Sequence, residues 1–281
     1  MKILVTGGAG FVGTNLLIEL SRNKSYKLFS IDNYCIGLKE NHIDGVNYIS
    51  DDVNNIFEYD EKYDIIFHLA ALSRIQPSFD DPELTYRYNT TATLKVLEYA
   101  RKNKSKVIYS GSSSRHHNPT ISPYAMTKFL GEELCKLYKT SYNMNTHIVR
   151  FYNVFGPYEI MEGDWAAVIG RWRNNIKKGI PLEIVGDGNQ RRDFTHVNDI
   201  VSGLIKISKT NSLNFEWELG SGKNYSINEV YKMFKKKFSC EFKYIENQPG
   251  NYKETLREKD IAIDELGWAP EYDLENYIQN L

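Results

Sequence analysis

The sequence predicts an α/β fold, a doubly wound parallel sheet with a smaller C-terminal α+β part. Three observations lead there. Apolar, β-branched runs alternate with helical segments through the first half of the chain, as parallel strands covered on both faces do. A glycine-rich turn joins the first of these runs to the first helical segment. Further on, Leu182-Glu-Ile-Val185 running into Gly186-Asp-Gly188 is a strand-turn signal outside that alternation. A length of 281 residues suits about two domains. The expected division is 1–154, with return segments near 194–222, for the sheet, and 155–193 with 223–281 for the smaller part.

Lys2-Ile-Leu-Val-Thr6 has the composition of a buried strand. Gly7-Gly-Ala-Gly10-Phe-Val-Gly13 follows, and Thr14 to Leu20 is helical. The glycines scan as Gly8-x-Gly10-x-x-Gly13 or as Gly7-x-x-Gly10-x-x-Gly13. Either spacing allows a tight turn and close approach of backbone to a pyrophosphate, which then rests on the amides and positive end of the helix. The next strand, Lys27-Leu-Phe-Ser-Ile31, ends in Asp32. An acid about 20 positions beyond such glycines accepts hydrogen bonds from an adenosine ribose and repels a 2′-phosphate, so NAD is expected rather than NADP. This strand-turn-helix is therefore a Rossmann-type dinucleotide site.

The alternation continues. Tyr63 to His68 is a strand entering the small residues Leu69-Ala-Ala71, and Leu84 to Asn103 is a helix carrying Asn89. Lys106 to Tyr109 is a strand entering Ser110-Gly-Ser-Ser-Ser114, Pro123 to Tyr142 a helix, and Thr146 to Phe151 a strand. The chain rejoins the sheet near Phe215 to Leu219 and goes on to Ile227 to Phe238 and a C-terminal tail. Ligands bind at the C-terminal ends of such strands, where Ser112, Tyr124 and Asn153 fall. Tyr124 and Lys128, four apart, share one helix face. A neighbouring ammonium lowers the pKa of a phenol and makes Tyr124 a usable base near neutral pH. With 20 tyrosines in the chain, such a pair arises by chance; its place downstream of a dinucleotide site gives it weight.

A net charge of −1 and a pI near 6.6 give no electrostatic footprint for nucleic acid, so anionic ligands must be held by local groups. Cys35, Cys135 and Cys240 are odd in number and far apart, which fits a reducing cytoplasm better than a disulfide framework or a zinc site. No apolar run approaches the ~18 residues of a membrane span. His42, His147 and His196 lack metal-ligand spacing, and no metal is expected. Lys235-Lys-Lys237 is a solvated helix terminus that compensates the dipole. His116-His117 lies beside the expected pocket, as a substrate contact or as a solvated loop.

Together these residues resemble the extended short-chain dehydrogenase/reductase superfamily, and within it the nucleotide-sugar epimerase/dehydratase group. The landmarks are Thr6-Gly-Gly-Ala-Gly-Phe-Val-Gly13, Asp32-Asn33, Asp52-Val53, His68-Leu-Ala-Ala71, Asn89 and Ser110-Gly-Ser-Ser-Ser114. They continue with Tyr124-x-x-x-Lys128, Arg150-Phe-Tyr-Asn-Val-Phe-Gly-Pro157, Arg192-Asp-Phe-Thr-His-Val197 and Leu266-Gly-Trp268. By that resemblance Gly7, Gly10, Phe11, Val12, Gly13, Asp32, Asn33 and Ser110 hold the NAD cofactor. Asp52 and Val53 flank its adenine, Leu69, Ala70 and Ala71 line it, and Asn89 sits near it. Ser112 is the catalytic hydroxyl, Tyr124 the base, and Lys128 the residue that holds the nicotinamide ribose. Tyr152 and Asn153 fall on the sugar side, with Tyr152 also near the cofactor. Ser73, Ser114, Val168 and Gln248 are further substrate contacts, and Arg192 reaches the nucleotide's phosphates or ribose.

Four departures from the group's pattern stand out. The segment from Ser114 to Tyr124 is short and carries Arg115-His116-His117. Gln248-Pro-Gly-Asn251 replaces an Arg-Pro-Gly-Asp/Glu motif, removing a charge-assisted contact to pyrophosphate and a carboxylate for ribose. Asp164-Trp-Ala-Ala-Val168 stands where a substrate loop is expected, and the chain is short for the group.

The chemistry implied is reversible oxidation at a sugar carbon, with Tyr124 moving the hydroxyl proton, Ser112 bonding the reacting oxygen and NAD exchanging hydride. A 4-epimerase of a nucleotide sugar, with a UDP-sugar favoured, is the leading expectation. A 4,6-dehydratase usually places Asp-Glu beside the catalytic hydroxyl, where this chain has Ser113-Ser114; a keto-sugar reductase more often uses NADPH and a site cysteine. A noncatalytic binding protein is the alternative of another class. Tyr99, Phe129, Leu130, Leu134, Leu137 and Tyr138 make the helices 84–103 and 123–142 more apolar than one core face needs, which suits a homodimer.

Overall fold

The computed structural model describes every residue from Met1 to Leu281. Strands alternate with helices through residue 151: β1 (Lys2–Thr6), β2 (Lys27–Asp32), β3 (Val46–Ser50), β4 (Ile65–His68), β5 (Lys106–Ser112) and β6 (Thr146–Phe151). A later strand, Glu216–Leu219, completes a seven-stranded sheet in the order β3, β2, β1, β4, β5, β6, Glu216–Leu219. Every pairing in it is parallel. The helices are α1 (Phe11–Ser21), α2 (Ile75–Asp80), α3 (Pro82–Tyr86), α4 (Ala92–Asn103), α5 (Pro123–Tyr142), α6 (Val168–Lys178), α7 (Val197–Lys209), α8 (Ile227–Lys237), α9 (Ile261–Leu266) and α10 (Leu274–Gln279). The fold is the Rossmann-type doubly wound sheet that the alternation predicts.

Side chains alternate along each strand, so one strand feeds two cores. Ile3 and Val5 pack with Leu16, Leu204 and Trp217 on one face, whereas Leu4 packs with Ile66, Val96 and Tyr109 on the other. Strands apolar on both faces are the consequence. A third core lies outside the sheet, where Trp172, Leu182, Ile184, Phe194, Val230 and Phe234 gather. The order of strands reverses between β1 and β4, because the chain first runs out to β3 and then returns. At such a reversal the strand ends diverge and leave a crevice for a ligand.

Two local features depart from the sequence expectations. The helix expected from Leu84 to Asn103 is α3 and α4 joined by a π-helical turn at Arg87–Thr91. That turn carries Asn89, whose amide bonds both backbone groups of Leu72 at 2.8 and 2.9 Å. The tail also divides: Ala262 and Trp268 join the core beneath the sheet, and Trp268 Nε1 donates to the Asp199 carbonyl at 2.9 Å.

Beneath the ends of β5 and β6, Arg150 and Glu132 form a buried pair, with side chains 4% and 1% exposed. Nη2 of Arg150 donates to Glu132 at 2.8 Å and also to Glu216. Its Nη1 lies 3.6 Å from Glu218. Glu218 is buried, which by itself raises a carboxyl pKa, but bonds from His116, the Glu258 amide and Tyr152 hold it down to about 2. Removing one partner of such a cluster leaves charge in a dry site. Arg150→Met is expected to cost about 3–5 kcal/mol, read from urea denaturation. A loss under about 1 kcal/mol, the scale of an exposed pair, would deny the cluster its anchoring role.

Candidate active site

One cavity of about 600 Å³ runs along the C-terminal edge of the sheet and on between the segments that follow β6. At its β1–β2 end, Gly7 has a φ of +72°, and a Cβ there would lie 2.9 Å from the Ala70 backbone. A Cβ on Gly13 would strike the Gly7 carbonyl oxygen. Glycine is required at both positions. Gly10 leads into α1 without a side-chain cap, so the first amides of that helix stay free for an anion. Asp32 accepts from the Ala9 amide through Oδ2 and from the Tyr34 amide through Oδ1, both at 2.9 Å. Burial raises its carboxyl pKa, and those two amides oppose the rise. Asn33, Asp51, Asp52 and Val53 complete this end, and the cavity's cations are Arg74, Lys128, Arg171 and Arg192. A glycine cradle, free helix amides and an acid-lined ribose end fit a dinucleotide with an unphosphorylated 2′-hydroxyl.

At the centre, Tyr124 sits in the first turn of α5. Ser122 caps that helix by accepting from the Ala125 amide at 3.1 Å, and Pro123 occupies the first position. The Tyr124 hydroxyl donates to Ser112 Oγ at 3.2 Å. That oxygen also accepts the Ser114 amide at 3.1 Å, which leaves the proton of Ser112 itself available to a third group. One turn on, Lys128 is buried, and its Nζ donates to the Ser110 carbonyl at 2.8 Å. Burial lowers its ammonium to about 8.

The expected electrostatics need correcting here. Burial raises the Tyr124 phenol above its ordinary value, and the opposing influences are the Ser112 hydrogen bond and the Arg74 charge. Lys128 has turned to the Ser110 carbonyl, and its charge is not among the influences on the phenol.

Beyond the centre, Ser73, Asn153, Val168, Arg192 and Gln248 line the cavity. Asn153 Nδ2 bonds the Asp193 carbonyl at 3.0 Å and Thr255 Oγ1 at 3.1 Å, tying β6 to the tail. Burial lowers the Arg192 guanidinium to about 10. Ala167 precedes α6 without a side-chain cap, which frees amides beside Val168.

Three expected residues stand outside the cavity wall. Tyr152 is fully buried and donates to Glu218 at 2.8 Å. Phe151 and Asn153 line the cavity, whereas Tyr152, between them and just past the end of β6, turns to the other side. Asn89 lies behind Leu72 and bonds Thr127 Oγ1 at 3.0 Å, which makes it a brace for the wall. Ser114 is buried, its amide spent on Ser112. His116 bridges Glu218 and Glu258 at 3.1 and 3.0 Å, while His117 stacks on Tyr252 with centroids 4.0 Å apart. These histidines support the wall from outside it.

The lining residues that escaped the sequence reading include Arg74, Glu159, Arg171 and Tyr252. Arg74 directly follows Ser73, Arg171 lies one turn into the helix that starts at Val168, and Tyr252 follows Gln248-Pro-Gly-Asn251. Each was legible only as the neighbour of a marked residue.

The family model for the NAD dependent epimerase/dehydratase family matches residues 3–220. A Methanocaldococcus jannaschii protein, provisionally named a UDP-glucose 4-epimerase, is 30% identical over 99% of this chain and 96% of its own. UDP-glucose 4-epimerase from Thermotoga maritima, solved with UDP-glucose, superposes with a TM-score of 0.91 at 26% identity, covering 99% of this chain and 96% of that one. UDP-glucuronic acid 4-epimerase from Bacillus cereus, solved with UDP-glucuronic acid and NAD, gives 0.89 at 27% identity, covering 99% and 97%. No helix here is long and apolar enough to cross a membrane. With the match spanning the glycine cradle, the Ser112–Tyr124 pair and most of the remaining chain, this protein belongs to the NAD dependent epimerase/dehydratase family.

Proposed function

We propose that the chain is a nucleotide-sugar 4-epimerase, acting on a UDP-sugar through a transient keto-sugar. The observation that carries this is the Tyr124 phenol 3.2 Å from Ser112 Oγ, in the same cavity as the glycine cradle. Bound NAD would supply the redox chemistry at the sugar carbon. Tyr124 takes the proton of the sugar hydroxyl and later returns it, aided by the positive end of the α5 dipole and by the Arg74 charge. Ser112 keeps a proton to donate to the reacting oxygen, whose negative charge grows as the phenol withdraws the hydroxyl proton. Lys128, anchored on Ser110, lines the same cavity and would hold the nicotinamide ribose of bound NAD.

Elimination of water would need a further acid and base beside the reacting hydroxyl, and Ser113-Ser114 supplies neither. A reductase using NADPH is opposed by Asp32, and the cavity's cysteine, Cys35, stands near Asn33 rather than Ser112. A purely binding role leaves Ser112, Tyr124 and Lys128 without a task. The homodimer belongs to this reading too: Tyr99 and Tyr138 are spent in the core, whereas Leu94, Leu137 and Tyr142 stand exposed on α4 and α5.

Purified protein incubated with a panel of nucleotide sugars and no added cofactor is expected to yield a mixture of C4 epimers by NMR. A 4-keto-6-deoxy product would replace this reading with dehydration. Tyr124→Phe should lower turnover by at least about 100-fold, the lower range for a positioned acid–base group, while bound NAD is retained. Loss of NAD with the hydroxyl would mean that the phenol serves binding.

Lys128 gives a pH test in protein freed of nucleotide. Its folded pKa of about 8 lies below the ordinary 10.5, so between those values the unfolded chain holds the extra proton. The penalty for burying the ammonium is full below about pH 8 and vanishes above 10.5. Lys128→Met removes it. The stability of the variant relative to wild type, from urea midpoints, should therefore fall as pH rises through that window; a constant difference would refute the assignment.

A further inference from the structure

Beyond its field at the Tyr124 phenol, Arg74 has no task in the epimerase reading. It precedes α2, whose Ser78 accepts the Tyr124 amide at 3.1 Å, so the start of α2 is docked on the turn that carries the base. Its Nε donates to the Trp165 carbonyl across the cavity at 2.8 Å, and its Nη1 to the Ser73 carbonyl at 3.2 Å. Those two bonds orient the guanidinium and leave further N–H groups uncommitted. No carboxylate forms an ion pair with it. Glu159, the acid whose field it feels, is bound to Arg173 at 2.7 Å, and Asp164 stands exposed in the loop beyond. Arg171 adds a second cation to the same wall and repels the first. Two guanidinium groups without acidic partners, facing a cavity beside the reacting phenol, call for an anion on the ligand.

The diphosphate of a nucleotide sugar does not meet that need at Arg74. It leaves from C1, across the ring from the hydroxyl that Tyr124 must reach. Arg192, with the uncapped start of α6, already offers cationic and amide donors in the cavity. The ring substituent next to C4 is the C6 group on C5. Resting on the epimerase reading, we infer that the sugar is a uronic acid, whose C6 carboxylate is bound by Arg74. A guanidinium fork matches a carboxylate in two parallel hydrogen bonds and gains little from a neutral hydroxymethyl group.

This pairing also bears on the outcome of the reaction. Oxidation of a uronate at C4 places a ketone β to the carboxylate, an arrangement that releases carbon dioxide readily. Loss of carbon dioxide would erase the negative charge held by Arg74, so the ion pair favours the carboxylate and its return as an epimer.

The test is calorimetric titration of the NAD-loaded protein with UDP, UDP-glucose and UDP-glucuronate, with NMR of the products. Wild type should bind UDP-glucuronate more tightly than UDP-glucose by about 10- to 100-fold, the range of a charge-assisted hydrogen-bonded contact. Arg74→Gln should erase that preference and leave UDP affinity unchanged, and Arg74→Lys should keep part of it. Equal affinity of wild type for the two sugars would overturn the inference without needing any variant to fold. So would an Arg74→Gln protein that loses affinity for UDP itself, since Arg74 would then serve the diphosphate. A uronate preference without an epimer would uphold binding by Arg74 and sink the epimerase reading, and release of carbon dioxide would in addition refute retention of the carboxylate by the ion pair. Epimerisation of UDP-glucose with no preference for the uronate would do the reverse.

Discussion

The bidentate pair between Glu132 and Arg150 seats α5 on the sheet, and the placement of Tyr124 and Lys128 follows from it. Tyr124, Lys128 and Glu132 are spaced by four, so they form one inward stripe on the helix. Each meets the sheet separately: Tyr124 at Ser112 Oγ, Lys128 at the Ser110 carbonyl and Glu132 at Arg150 of β6. Three contacts at successive turns fix both the rotation and the height of α5. Gly111 allows this closeness, since a Cβ there would meet Glu132 at 2.7 Å. The cluster extends through Glu216 and Glu218 to Tyr152 and His116, and so the wall behind Ser112 is ionic rather than apolar. A misplacement of about 1 Å can cost about 100-fold in rate, which gives a physical reason for so much charge in a place outside the cavity wall.

Charge is divided along the cavity. The β1–β2 end carries Asp32, Asp51 and Asp52 and no cation, whereas Arg74, Lys128, Arg171 and Arg192 all line the remainder, beside acids such as Glu159 and Glu183. A protein with a net charge of −1 draws no anion from a distance, so this local division must select the ligand. Burial sharpens it. The same desolvation that lowers Lys128 to about 8 and Arg192 to about 10 strengthens every pairing a bound anion makes. The Arg-to-Gln departure at Gln248 is therefore set in a wall that keeps cationic capacity elsewhere, in Arg171 and Arg192.

Much of this was legible from the chain. The glycine turn, Asp32 at the end of β2, and α5 from Pro123 to Tyr142 are local patterns, and each lies where the sequence predicts it. Tyr152 was misplaced because a motif names consecutive residues while the chain just past β6 turns them to opposite sides. Asn89 was misplaced for a related reason: its π-helical turn adds a residue to the helical repeat and points the amide at Leu72 rather than into the cavity. Arg74 and Arg171 carried no signal of their own beyond a marked neighbour, since a lone arginine on a polar surface has the same local sequence as one in a cavity.

The sequence by itself determined the alternation of strands and helices, the glycine cradle, the acid at the ribose end and the tyrosine–lysine spacing. These depend on backbone sterics and helical repeat, which act over a few residues. Tertiary structure alone decided which charge influences the phenol, which arginines stand unpaired and which side of β6 each residue faces. Those outcomes depend on partners as far apart as Arg74 and Trp165, or Arg150 and Glu216, whose meeting is set by the path of the whole chain.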